Sequence, residues 1–102
     1  MIKQVVLFRF KDDIAAEDRK NAFESFRSGI MSLVKIIPVI RKIEVGYNVN
    51  SQESWDICLC GEFESMEDVV SYSTHPEHLK VSGALNPLLS GRSCVDYELT
   101  AS

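Results

Sequence analysis

The sequence has 102 residues, the length of one ordinary domain, and no linker, repeat or low-complexity segment divides it. Its 11 basic and 15 acidic residues give a net charge of −4, and the basic residues are scattered along the chain. Because phosphate groups bind to clustered basic residues, this pattern argues against a nucleic-acid partner and an anionic membrane surface. No export signal precedes the first strand and no apolar run approaches the ~20 residues that span a bilayer, so we expect a cytoplasmic protein.

The first predicted strand, residues 2–10, is apolar on both faces. One face carries Ile2, Val6, Phe8 and Phe10, together with the polar Gln4, and the other carries Val5 and Leu7. A strand that is apolar on both faces is expected to be covered on both.

A helix is predicted from about Asp18 to Ile37, because apolar residues recur there at steps of three and four. These residues are Phe23, Phe26, Ile30, Leu33 and Ile37. Pro38 should end the helix, since proline disfavours the helical conformation of the preceding residue. A second strand from Val39 to Val49 and a third from Trp55 to Phe63 then form a hairpin across a polar turn.

The second half of the chain predicts two short helices and a last strand. Ser65 and Asp68 have the spacing of a capping box, which opens the first of these helices. His75 and Pro76 end it and start the next, because proline is tolerated in a first helical turn. The last strand is predicted from Cys94 to Leu99.

The resulting order, β-α-β-β-α-α-β, predicts an α+β fold of the ferredoxin-like kind, with a four-stranded antiparallel sheet and helices on one face. The other face would be left bare. Its candidate residues are Val5, Leu7, Val95, Tyr97 and Leu99. Since so large an apolar patch is rarely left in water, we predict that a second copy covers it in a homodimer.

The three cysteines are expected to be reduced, and Cys58 and Cys60 to pack in the core. His75 and His78 are three residues apart, but no third ligand follows with a recognisable metal-site spacing. We therefore predict neither a metal nor a cofactor.

Five segments together resemble the stress-responsive A/B-barrel (Dabb) family over nearly the whole chain. They are MIKQVVLFRFK, IEVGYN, GEFES, YSTHPEH and VDYE. The resemblance implies a dimer in which two ferredoxin-like sheets close into a barrel, and a family in which most members have no assigned reaction. In one plant member, a polyketide cyclase, the residues that match Tyr72 and His78 act in catalysis, the histidine as the base. The family's common first-strand histidine is Gln4 here, and a further active-site histidine of the cyclase is Ile57.

His78 is the main candidate for chemistry. It lies on the helical stripe of Val81 and Leu85, so it should face inward, where burial keeps the imidazole neutral and able to act as a general base. The alternative is a structural histidine bonded to Tyr72 or to a backbone carbonyl. The Tyr72 hydroxyl is the candidate group for orienting a substrate carbonyl.

Two functions stay open. The first is a non-catalytic dimeric module that binds a small apolar or aromatic, oxygen-bearing molecule between sheet and helices. The second is a small enzyme, cyclase-like or a related lyase, that uses His78 as its base and Tyr72 as a hydrogen-bond donor. Gln4 and Ile57 favour the first function, and Tyr72 and His78 favour the second. The predicted ligand-binding residues are Gln4, Val6, Phe8, Ile57, Leu59 and His75, the last of which we expect to cap its helix.

Overall fold

Within residues 1–100, four antiparallel strands form one sheet, and three α-helices pack on one of its faces. The computed structural model describes residues 1–100. The elements are β1 (Ile2–Phe10), α1 (Ala16–Ser32), β2 (Lys42–Tyr47), β3 (Ile57–Phe63), α2 (Met66–Ser73), α3 (Pro76–Leu85) and β4 (Leu89–Glu98). The strands are ordered β2-β3-β1-β4 across the sheet. Short 3-10 turns at Leu33–Lys35 and Asn86–Leu88 follow α1 and α3. The predicted ferredoxin-like α+β fold is confirmed. No helix within residues 1–100 has the length and apolar character needed to cross a membrane.

β1 lies in the centre of the sheet and organises the core. Its even-numbered residues are buried beneath the helices and its odd-numbered residues are half-buried on the other face, as the alternation predicted. Phe8 meets Phe26 of α1 edge to face, with ring centroids 5.3 Å apart. Full burial of such an apolar side chain contributes about 1.5–3 kcal/mol.

Three predicted boundaries differ from the observed ones by three residues or more. The α-helix ends at Ser32 rather than at Ile37, because the Ile36 N–H already bonds to the Leu33 carbonyl in a tighter 3-10 turn. β2 begins at Lys42 rather than Val39, after a turn. β4 begins at Leu89 rather than Cys94, because it pairs with β1 along its whole length across one register shift.

The sheet face away from the helices is largely uncovered. Val95 and Tyr97 of β4 are 54% and 43% exposed, and Val5 and Leu7 beside them are half-buried. We call this surface, with its neighbours Cys58 and Cys60 on β3, the open face.

The expected core position of the cysteines is corrected by this arrangement. Cys58 and Cys60 are half-buried on the open face, with sulfur atoms 3.7 Å apart, and Cys94 is exposed. The cause is strand alternation, which aims Cys58 and Cys60 away from the helices. Burial, with Cys60 alongside, raises the pKa of the Cys58 thiol to about 11.

A candidate ligand cavity between sheet and helices

A cavity of about 230 Å³ lies between the helix-covered face of the sheet and the three helices. Its floor is formed by Gln4, Val6 and Phe8 of β1 and by Leu59 of β3. Strand alternation places these β1 residues on one face, and the pairing of Val6 with Leu59 brings the two strands into register. Gln4 is only 6% exposed, so a polar carboxamide is part of an otherwise apolar floor.

Tyr72 and His78 form one wall of this cavity. Tyr72 is near the end of α2 and His78 is in the first turn of α3, and their ring centroids are 4.5 Å apart. The Tyr72 hydroxyl and the His78 Nδ1 atom are both buried, and neither has a hydrogen-bond partner among residues 1–100. A buried polar group without a partner costs about 1–3 kcal/mol, so two of them side by side are unusual.

The helix that carries His78, α3, is capped at its start by another histidine. His75 Nδ1 accepts a hydrogen bond from the Glu77 N–H at 3.1 Å, and Pro76 occupies the first helical position. Ser65 likewise caps α2 by accepting from the Asp68 N–H, as the capping-box spacing predicted. These caps fix the turn from which His78 projects towards the sheet.

Burial sets the ionisation of both rings. It lowers the pKa of His78, an effect that the nearby charges of Arg92 and His75 reinforce and that a hydrogen bond with the Ser73 backbone opposes. Burial also raises the pKa of Tyr72. The site therefore presents a neutral imidazole beside a protonated phenol. A neutral imidazole has one nitrogen that accepts a hydrogen bond and one N–H that donates, and a protonated phenol can donate or accept.

Six of the predicted site residues meet at this cavity. They are Gln4, Val6, Phe8, Leu59, Tyr72 and His78. Two others lie elsewhere: Ile57 is fully buried between Phe8 and Tyr47 in the sheet, and the ring nitrogen of His75 serves the helix cap. No hydrogen bond joins Tyr72 to His78, since the tyrosine hydroxyl has no partner within the described chain.

Five further residues line the cavity and were not among the predicted site residues. They are Phe26, Ser73, Ser82, Asn86 and Arg92. Arg92 was missed because the last strand was predicted to begin at Cys94. Once the strand extends to Leu89, alternation places Arg92 on the same face as Cys94, opposite Phe8.

A larger groove, of about 350 Å³, lies between α1 and α3 but differs in chemistry. Ala22, Gly29, Val81 and Leu88 contribute to its mainly apolar lining, and its charged residue, Lys80, pairs with Glu77 at 2.9 Å. Within residues 1–100 no group of three or more potential ligands is placed to hold a metal ion. The cavity at Tyr72 and His78 is therefore the stronger candidate site.

Comparison with known proteins gives a family and several relatives. The sequence profile of the family described as the stress responsive A/B barrel domain (Dabb) matches residues 2–99. A crystal structure from Bacteroides fragilis, described as a dimeric protein of unknown function with a ferredoxin-like fold, is 44% identical and superposes with a TM-score of 0.94, covering 96% of this chain and 95% of that one.

Two plant proteins are similar at lower identity. Olivetolic acid cyclase from Cannabis sativa is 28% identical over 81 residues, which is 76% of each chain. The stress-response A/B barrel domain-containing protein HS1 from Arabidopsis thaliana is 27% identical over 103 aligned positions, covering 98% of this chain and 91% of that protein.

Proposed function

The chain belongs to the stress-responsive A/B barrel (Dabb) family, and on that premise we propose that its cavity binds a small apolar or aromatic molecule that carries a polar oxygen. The observation that supports this proposal is the pair of buried, unpartnered atoms, Tyr72 Oη and His78 Nδ1, above an apolar floor. A ligand that accepts from the hydroxyl and donates to the imidazole would satisfy both groups. The cavity is smaller than those that hold drug-sized ligands, so a single-ring molecule fits the proposal.

Benzamide is a suitable probe, because its carbonyl accepts a hydrogen bond and its amide group donates one. We expect it to bind the wild-type protein, with shifts of the Ser73 and Ser82 amide resonances in a proton–nitrogen NMR titration. Tyr72→Phe removes one neutral hydrogen bond and should weaken binding by roughly two- to tenfold. His78→Ala removes the second partner and should weaken it as well.

Tyr47→Phe is the matched control, because Tyr47 packs on Phe23 outside the cavity and its hydroxyl loss should leave benzamide affinity unchanged. The proposal fails if benzamide does not bind, or if Tyr72→Phe and Tyr47→Phe bind it equally well.

A second candidate function is proton abstraction next to a carbonyl group, with His78 as general base. The neutral state of His78 supports it, since a general base must be unprotonated at the working pH. Tyr72 would hydrogen-bond the enolate oxygen that forms as the proton moves to His78. Olivetolic acid cyclase gives the family a relative named for an enzymatic activity.

Acetophenone in deuterated water tests this chemistry. If His78 acts as a general base, deuterium should enter the methyl group of acetophenone faster with the wild-type protein than with His78→Ala. Equal exchange rates for the two proteins, with acetophenone bound to the wild type, would leave ligand binding as the function.

We also propose that the chain is a homodimer that buries the open face. The exposure of Val95 and Tyr97 supports this, because a contiguous apolar surface on a sheet is usually covered. The Bacteroides fragilis relative, which is described as dimeric, supports it independently.

A further inference from the structure

Among the residues that line the cavity, Arg92 is the one with a charged side chain, and it forms no salt bridge within residues 1–100. It lies on β4 opposite Phe8, on the helix-covered face of the sheet. No carboxylate of residues 1–100 comes within 4.0 Å of its guanidinium. The next acidic residue along its own face, Asp96, lies 3.9 Å from the Cys94 sulfur, and Arg92 approaches the same thiol.

Three of the four other arginines contact a carboxylate or an aromatic ring. Arg19 contacts Asp56 and Arg41 contacts Glu64, while Arg9 stacks on the Trp55 ring. Arg92 differs because its neighbours in the cavity are neutral. Since the protein carries a net charge of −4, the positive potential at this end of the cavity is local and not a property of the whole surface.

Two neutral hydrogen-bonding side chains accompany Arg92 in the lining, the Ser82 hydroxyl and the Asn86 carboxamide. A guanidinium presents two parallel N–H groups that match the two oxygens of a carboxylate, and serine and asparagine can donate to the same group. Beyond them the floor is the apolar surface of Val6 and Phe8. The lining thus combines one cationic side chain and neutral hydrogen-bonding groups with an apolar part of the floor.

We propose that Arg92 selects ligands that carry a carboxylate, which it binds at the β4 end of the cavity with Ser82 and Asn86, while the apolar part of the ligand lies along Val6 and Phe8. This inference rests on the proposed ligand-binding function and deepens it by naming the ligand class, small apolar or aromatic carboxylic acids. Gln4 lies four residues before Phe8 on β1, about 13 Å along the strand, so it is at the opposite end of the floor from the carboxylate.

Benzoate and benzamide test the inference, because they share one ring and differ in charge at about neutral pH. We expect wild-type protein to bind benzoate more tightly than benzamide in an NMR titration. Arg92→Gln should weaken benzoate binding by about tenfold or more and change benzamide binding little, since a charge-assisted bidentate contact is lost. Arg92→Lys keeps the positive charge but loses the two parallel N–H donors of the guanidinium. Its benzoate affinity should therefore lie between those of the wild type and Arg92→Gln.

Arg27→Gln is the matched control, because Arg27 is an exposed arginine of α1 that lies outside the cavity lining. Added sodium chloride should weaken benzoate binding to the wild type and leave benzamide binding unchanged.

The two titrations distinguish a failure of the proposed role of Arg92 from a failure of the proposed ligand-binding function. If benzamide binds but benzoate binds no more tightly, or if Arg92→Gln weakens both ligands equally, the role of Arg92 is wrong and the ligand-binding function stands. If neither molecule binds the folded wild-type protein, the proposed function fails, and the inference about Arg92 fails with it.

Discussion

At the scale of single residues, the main feature of the cavity is two buried polar atoms, Tyr72 Oη and His78 Nδ1, that have no hydrogen-bond partner within residues 1–100. Tyr72 is 1% exposed, and its ring packs against the rings of both Phe63 and His78. An unpartnered polar group lowers stability in the free protein, which is the usual cost of a preorganised site. Sequence periodicity predicted that His78 would face inward, but it gave no measure of whether its nitrogen atoms would find partners.

The lowered pKa of His78 makes a prediction about stability and pH. The unfolded chain takes up a proton on this imidazole near its ordinary pKa of 6.5, whereas the folded protein does so only at lower pH. Protons therefore favour unfolding, and stability should fall as the pH is lowered from about 6.5 through the pKa of the folded state. Urea unfolding at several pH values and one fixed protein concentration measures this slope, which should be smaller in His78→Gln. Equal slopes in the two proteins would show that His78 keeps an ordinary pKa.

At the scale of elements, one glycine allows the packing that supports Tyr72. A Cβ atom at Gly61 of β3 would lie 2.9 Å from Cε2 of the fully buried Phe63 ring. The Phe63 ring in turn is 5.1 Å from the Tyr72 ring, centroid to centroid. The absence of a side chain at position 61 thus positions a chain of three aromatic rings from β3 to α3.

Gly61→Ala should therefore destabilise the protein by about 1–3 kcal/mol, the usual cost of overpacking a filled core, and should also weaken benzamide binding by displacing Tyr72. Gly83→Ala is the control of opposite sign, because Gly83 is exposed on α3 and its added methyl group meets nothing within 4 Å. That change should stabilise by up to about 1 kcal/mol through helix propensity. Chemical unfolding of the two variants measures both effects. If Gly61→Ala left the free energy of unfolding unchanged, the Phe63 ring would be able to move aside without cost.

The elements also show where sequence reasoning succeeds and where it stops. Strict alternation identified β1 and its two faces, and a repeat of three and four identified α1. The three-and-four spacing of apolar residues continues to Ile37, beyond the end of the α-helix, because the 3-10 turn that follows keeps Leu33 and Ile37 buried too. Pro87 and Gly91 look like breakers in the sequence, yet β4 begins at Leu89, since pairing with β1 overrides local preference. Arg92 was overlooked for that reason.

At the scale of the whole molecule, the two faces of the sheet have separate roles. The helix-covered face holds the candidate cavity, and the open face holds apolar residues that nothing else in residues 1–100 covers. The open face could be predicted from the sequence, because the strand order and the alternation of Val5 and Leu7 are both visible there. The same reasoning misplaced Cys58 and Cys60, since their apolar character matched either face.

A charge on the open face should break the dimer. We expect the wild-type protein to have a solution mass of about 23 kDa, twice the 11.5 kDa of one chain, in light scattering. Val95 is 54% exposed in the single chain and lies opposite Val5. Val95→Glu should therefore change the folding stability of a monomer little. In a dimer the same carboxylate loses water without a partner, a cost of several kcal/mol that should raise the dissociation constant by about a hundredfold or more.

Val70→Glu is a control of equal exposure, because Val70 is also 54% exposed but lies on α2, on the helical side of the molecule. It introduces the same charge into a chain of the same net charge, so an effect of charge alone would appear in both variants. We expect Val70→Glu to keep the mass of about 23 kDa and Val95→Glu to give about 11.5 kDa at micromolar concentration. If the wild type has the mass of one chain, or if both variants remain dimers, then the open face is not the interface, and its apolar residues need another cover.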